Sequence, residues 1–256
     1  MLFRSNSPVG DRATRRAILD RILASIRHAR KGSTIQIMTW NYLTSEGTDA
    51  LLAAQKRGVV VRVLIDQAND DADSPNPPFN RLRAGLRAGN GNKPYPERSA
   101  AKMCQNSCRG RGGAAHSKYY LFSHTGSSRR VVMQGSANFT TAMANNQWNE
   151  IFTYVDRRPI WDFMQARFDE AWKDTPVKRA FAEVTDGGYG LYVSPNYGPD
   201  WISDPIIDAL DKVRCRGAVD AGNANGRTII RTSPDVIRGK RGMTRSEEHT
   251  SELQSH

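Results

Sequence analysis

HSKYYLFSHTGSSRRVVMQGSANFTTAMANNQWNE, residues 116–150, is the stretch that decides how this chain folds and what it does. Its apolar and β-branched runs predict strands over 116–123 and 129–136, with a third, NEIFTYVD, over 149–156. His116 and Lys118 stand two apart, so on one strand they project from the same face. Gly135, Ser136 and Asn138 end the next strand, with Ser136 and Asn138 again two apart. An imidazole, an ammonium, a hydroxyl and an amide on adjacent strand ends can surround a phosphodiester. Lys118 would neutralise its non-bridging oxygens, Ser136 and Asn138 would donate hydrogen bonds to them, and His116 would attack phosphorus. That covalent route needs no metal and no organic cofactor.

Outward from this stretch the chain alternates helices and strands. Residues 11–31 read as an amphipathic helix on Ile18, Leu19, Ile22, Leu23 and Ile26, with Gly32 as C-cap. A half-buried strand is expected at 33–40, a short helix at 48–57 and a buried, β-branched strand at 59–66. Strand, helix, strand makes the class α/β, a mixed or parallel sheet flanked by helices. Residues 67–115 read mostly as connection, with a helix near Phe79 to Leu86. A helix over 159–172, with Pro159 in its first turn, turns Trp161, Met164, Phe168 and Trp172 to the core. A Gly/Pro-rich connection at 186–200 leads to a helix at 204–215. GRTIIRTS (226–233) then echoes GSTIQIMT (32–39), which hints at a repeat.

His-x-Lys followed in register by Gly-Ser-x-Asn resembles the HKD motif of the phospholipase D superfamily. Residues 11–175 together resemble that family's N-terminal lobe. The resemblance implies a phosphohistidine mechanism, and it implies that Glu150 holds and orients the nucleophilic His116. One position departs: the Asp expected five residues beyond the lysine is Ser123 here. A lone strand histidine is commonly structural, and His116 is read as catalytic because of the residues around it. His28 is expected at the surface near a helix end, and His124 in a turn. Asn145, Asn146 and Trp148 either rim the site or only form a loop.

The family's sites need two such motifs, and this chain carries one. The second is expected from sequence beyond Thr244 or from a second chain, and the chain as it stands is expected to be a fragment that is inactive alone. The resulting layout is a lobe over 1–185, a connection over 186–225, the start of a truncated second lobe over 226–244, and a non-native tail over 245–256. That tail, RSEEHTSELQSH, resembles a translated sequencing adapter and carries a net charge of −2, so the remaining residues carry +13.

The whole chain has a formal net charge of +11, which favours an anionic partner. A phospholipid head group or membrane surface is the first reading, nucleic acid cut by a dimeric nuclease the second, and a non-catalytic anion-binding lobe the third. Cys104 and Cys108 sit as CQNSC, where a disulfide is favoured over zinc held with His116; free thiols are the remaining state. The family resemblance implies export, although the first residues contain no apolar signal core.

Overall fold

The computed structural model describes residues 2–195 and 210–213. The elements follow in chain order as β1 (Leu2–Asn6), α1 (Arg12–Arg27), β2 (Thr34–Met38), β3 (Tyr42–Leu43), α2 (Ser45–Lys56), β4 (Val60–Asp66), α3 (Pro77–Ala88) and β5 (Ala100–Cys104). Then come β6 (Tyr119–Thr125), β7 (Ser128–Gly135), β8 (Phe139–Thr140), α4 (Thr141–Asn146), β9 (Asn149–Val155), α5 (Arg158–Lys173) and the hairpin β10 (Ala182–Asp186) and β11 (Tyr189–Val193).

Alternation along the strands builds three layers. Ile35, Ile37, Val61, Val63, Ile65, Tyr120, Phe122, Val131 and Met133 point to one face and pack with α1, α2 and α3. Leu64, Tyr119, Leu121, Val132 and Tyr154 point to the other, onto Ile160, Trp161, Met164 and Phe168 of α5. Each of those α5 side chains, removed from water, contributes about 1.5–3 kcal/mol, which holds the helix to the sheet. The α/β class expected from the sequence is therefore the class observed.

The sheet has the order β1-β9-β7-β6-β2-β4-β5. β2, β4 and β5 run parallel, whereas β6, β7, β9 and β1 alternate antiparallel from β2 outward. This arrangement collects, at one edge of the sheet, the C-terminal ends of β2, β4 and β7 and the N-terminal ends of β6 and β9. Loops at the carboxyl ends of parallel strands are where open α/β sheets carry their sites.

Several sequence readings are corrected. The first helix ends at Arg27 with His28 as C-cap, not at Gly32, because Ala29 leaves the helix to bridge Thr125. Gly32 instead takes φ +78 and donates to the Gly58 carbonyl. β6 starts at Tyr119, so His116 and Lys118 lie in the extended lead-in rather than on the strand. His124 is inside β6, not in a turn. The stretch 67–115 contains a parallel edge strand, β5, in AAKMC, whose alanines and lysine are poor strand formers and which exists through pairing with β4.

Leu2–Asn6 is a sheet-edge strand, and the Gly-containing stretch after residue 181 forms a hairpin turning at Gly187 and Gly188, both at positive φ. The compact unit holding all these elements extends through Pro195. The echo at 226–233, most of the 204–215 helix, Cys215 and the tail at 245–256 lie outside the described residues.

Candidate active site

The lead-in to β6 is fixed from below by Asp66, the last residue of β4, which is 4% exposed. Its Oδ1 accepts from the Ala68 amide at 2.9 Å, and its Oδ2 accepts from the Ala115 amide at 2.6 Å, one residue before His116. The loop that precedes it is tied by the Cys104–Cys108 disulfide, so the favoured reading of CQNSC is the observed one. Among the described residues no group of three or more His, Cys, Asp or Glu gathers to hold a metal.

His116 is exposed and its ring lies 5.2 Å from that of Trp40, in the loop after β2. Lys118 is 8% exposed and bends back so that Nζ donates to the His116 carbonyl at 2.6 Å. The same ammonium lies 5.9 Å from the Trp40 ring centre. Burial pushes Lys118 down to about 8 from 10.5. His116 and Lys118 share one cleft of about 360 Å³ with Gln134, Gly135, Met164, Leu191 and Tyr192.

Ser136 faces the next strand. Its Oγ donates to Asn149 Oδ1 at 3.0 Å and accepts from the Glu150 amide at 3.1 Å, while its own amide donates to the Glu150 carbonyl. Glu150 is thus held beside Ser136 through its backbone, and its side chain is exposed. Asn138 is turned inward: its Oδ1 accepts from Thr39 Oγ1 at 3.3 Å and from the Asn41 amide at 3.2 Å. Its carbonyl oxygen therefore braces the Trp40 loop, and only its NH2 could serve as a donor to a ligand. Tyr120 Oη fixes the intervening turn by donating to the Ala137 carbonyl at 3.0 Å.

The fold therefore gathers His116, Lys118 and the Gly135–Ser136 end of β7 at one sheet edge. Ser136 and Asn138 already spend hydrogen-bonding capacity on protein groups. Three residues absent from the sequence reading complete the arrangement: Trp40, Asp66 and Asn6. Asn6, 2% exposed, donates through Nδ2 to the Met143 and Gln147 carbonyls at 3.0 Å and accepts from the Asn149 amide at 2.8 Å. Asp closing a β-branched strand is a signal for Asp66; nothing local marks Asn6. Trp148 is 67% exposed.

Ser123 also has a defined job. Its Oγ accepts from the Thr34 amide at 2.8 Å and so joins the start of β2 to β6. The position where the resemblance expects Asp thus serves strand joining, away from the His116 cleft.

The family described as "Cardiolipin synthase, PLD-like domain" matches residues 22–172, more than half of the chain. The chain belongs to the phospholipase D superfamily. Solved structures with a similar fold include Nuc from Salmonella typhimurium, a phospholipase D family member, at 17% identity over 68% of this chain and 93% of that one, TM-score 0.49. NucT from Helicobacter pylori aligns at 15% identity over 68% of this chain and 98% of its own, TM-score 0.46. Yeast tyrosyl-DNA phosphodiesterase aligns at 12% identity over 59% of this chain and 31% of its own, TM-score 0.34. No curated protein matches the sequence. Membership of the superfamily makes this a phosphodiesterase-type fold.

Two outcomes follow from the geometry. Asp66→Asn turns an NH2 or a weaker acceptor toward the Ala115 amide. It is expected to cost about 1–3 kcal/mol of stability and to speed amide exchange at Ala115–Lys118, read by hydrogen–deuterium exchange. Lys118 gives a pH signature. Its folded pKa of about 8 lies below the ordinary 10.5, so between those values the unfolded chain binds more protons and stability rises with pH. Lys118→Met should abolish that rise and increase the melting temperature at pH 7, because no charge is then buried. Turnover that needs the ammonium should fall as pH rises through about 8 in the wild type.

Proposed function

We propose that His116 is the nucleophile of a phosphodiester hydrolase and that Lys118 is its phosphate-binding cation. The observation that carries this is the shared cleft, with an exposed imidazole, a buried ammonium and Trp40 against both. A His116 ring nitrogen attacks phosphorus as the bond to the leaving alkoxide breaks, giving a phosphohistidine. The leaving oxygen takes its proton from a second His-Lys half-site, supplied by a second lobe or a second chain. Water activated by that same half-site then attacks phosphorus and restores His116. Glu150 and Ser136 orient the attacking end of the cleft, and Asn138 offers its NH2 to the phosphate.

The first substrate reading is a phospholipid head group, in an exported enzyme. Met164, Leu191, Val193 and the half-exposed Tyr192 form an apolar flank to the cleft, suited to the glyceride side of such a molecule. The matching family is described by a lipid enzyme, cardiolipin synthase. Nucleic acid is the second reading, favoured by the net charge of +11 and by the single motif.

The test is a burst experiment with bis(p-nitrophenyl) phosphate, whose leaving group needs no acid. The expected result is one equivalent of p-nitrophenol per chain and an acid-labile, base-stable phosphoryl adduct on His116. Release without any adduct, or an adduct on another residue, would overturn the reading. Assays on phosphatidylcholine vesicles and on DNA then separate the two substrate classes.

A further inference from the structure

A second pocket of about 370 Å³ lies at the outer edge of the sheet, beside β5. It is lined by Arg62 of β4, Arg83 and Arg87 of α3, Tyr95, Arg98 and Trp172 of α5, and it shares no residue with the His116 cleft. Arg62 and Cys104 mark opposite ends of the β4–β5 pairing, and β5 lies three strands from β6. At about 3.3 Å per residue and 4.8 Å per strand, the two places are roughly 20 Å apart.

No carboxylate lines this pocket. Arg83 has Asp70 at 3.6 Å, and Asp169 lies close enough to sense Arg62. Arg62 donates to the Pro96 carbonyl at 3.0 Å and Arg98 to the Lys93 carbonyl at 2.7 Å, contacts that aim guanidiniums without neutralising them. Arg87 is exposed in the last turn of α3. Lys102 joins this field by standing 4.5 Å from the Trp172 ring centre, and burial lowers its pKa. Tyr95 lines the pocket at 72% exposure, a large aromatic face open to solvent.

We infer that this pocket binds a single-stranded nucleic acid segment, with an unpaired base stacked on Tyr95 and its flanking phosphates held by Arg62, Arg87 and Arg98. Fixed cations supply attraction to a phosphate backbone, and an exposed ring supplies sequence-tolerant stacking that a duplex, with its bases already paired and stacked, cannot use. Planar guanidiniums also match phosphate oxygens two at a time. A lipid surface would meet the same charge, whereas the pocket of about 370 Å³ that joins the cations to the ring is of a size for one base with its flanking phosphates. The site is separate from the cleavage cleft and does not depend on which substrate that cleft takes.

The experiment measures fluorescence anisotropy of fluorescein-labelled dT12 with the full chain in a His116→Ala background, which keeps the oligonucleotide whole. Arg87→Gln with Arg98→Gln removes two exposed charges. It should weaken binding by ten-fold or more and lower the slope of log affinity against log salt by roughly 1.4. Tyr95→Ala should weaken dT12 by about 10-fold while leaving heparin binding unchanged, and an equivalent duplex should bind less well than dT12. Unchanged melting temperatures confirm that the exposed substitutions leave the fold intact. Wild-type dT12 affinity in both variants would overturn the inference. So would an equal loss for heparin in Tyr95→Ala, which would mean charge alone. Tighter binding of phosphatidylglycerol vesicles with the same dependence on Tyr95 and the arginines would reassign the pocket to a membrane surface.

Discussion

His116→Ala is expected to lower p-nitrophenol release from bis(p-nitrophenyl) phosphate by at least about 10^4-fold, because removing a nucleophile removes the covalent route and not one contact within it. The burst should vanish along with the slow phase. His116 is exposed, with its ring 5.2 Å from that of Trp40, and a surface substitution is worth within about ±0.5 kcal/mol, so its loss should leave the melting temperature within about 2 °C. Lys118→Met should also lose activity but gain stability, which separates the two residues by their thermodynamic signatures. A His116→Ala chain that kept more than one hundredth of wild-type turnover would sink the assignment of the nucleophile.

Gly135→Ala is the second large effect. A Cβ at Gly135 would stand 2.0 Å from the Glu150 carbonyl oxygen and 2.9 Å from Ile151 Cα, all backbone atoms of the neighbouring strand. No rotamer change relieves such a contact, so β7 and β9 must separate where Ser136 and Glu150 exchange hydrogen bonds. The cost is expected at about 3 kcal/mol or more, at or beyond the upper end for overpacking. Chemical denaturation would read it as a fall in midpoint at unchanged slope. Activity should fall further than stability at temperatures where the chain is still folded, since the strand ends that part are those beside His116. A wild-type midpoint for Gly135→Ala would mean that β7 and β9 do not close as described.

The glycine's role explains why Gly-Ser-x-Asn was readable in the sequence at all. Gly135 is required by a backbone approach, Ser136 by the bonds to Asn149 and Glu150, and Asn138 by the brace to Thr39 and Asn41. Three constraints, two set by the start of β9 and one by the loop after β2, fall within four consecutive residues, so distant partners still leave a local pattern. Ser123 shows the opposite case. The pattern expects Asp there, yet a hydroxyl suffices to accept from Thr34, because the position joins strands and does not line the His116 cleft.

The amino-acid sequence by itself determined the α/β class, the strands around residues 35, 63, 121, 132 and 152, the helices on either side, and the His116–Lys118 pair with its Gly-Ser-x-Asn partner. The strands and helices rest on periodicity, and the His116–Lys118 pair with its Gly-Ser-x-Asn partner rests on its resemblance to the HKD motif. Only the tertiary structure decided that Trp40 stands against both His116 and Lys118, that Asp66 holds Ala115, and that Asn6 anchors Asn149 from 143 residues away. It likewise decided that β1 and β5 are strands and that six basic or aromatic side chains, from β4, α3, α5 and the connection between α3 and β5, meet beside β5. Each of these depends on which strand lies beside which. Pairing partners and burial are properties of the closed sheet, and a lysine whose pKa falls to about 8 comes into being only when the layers meet.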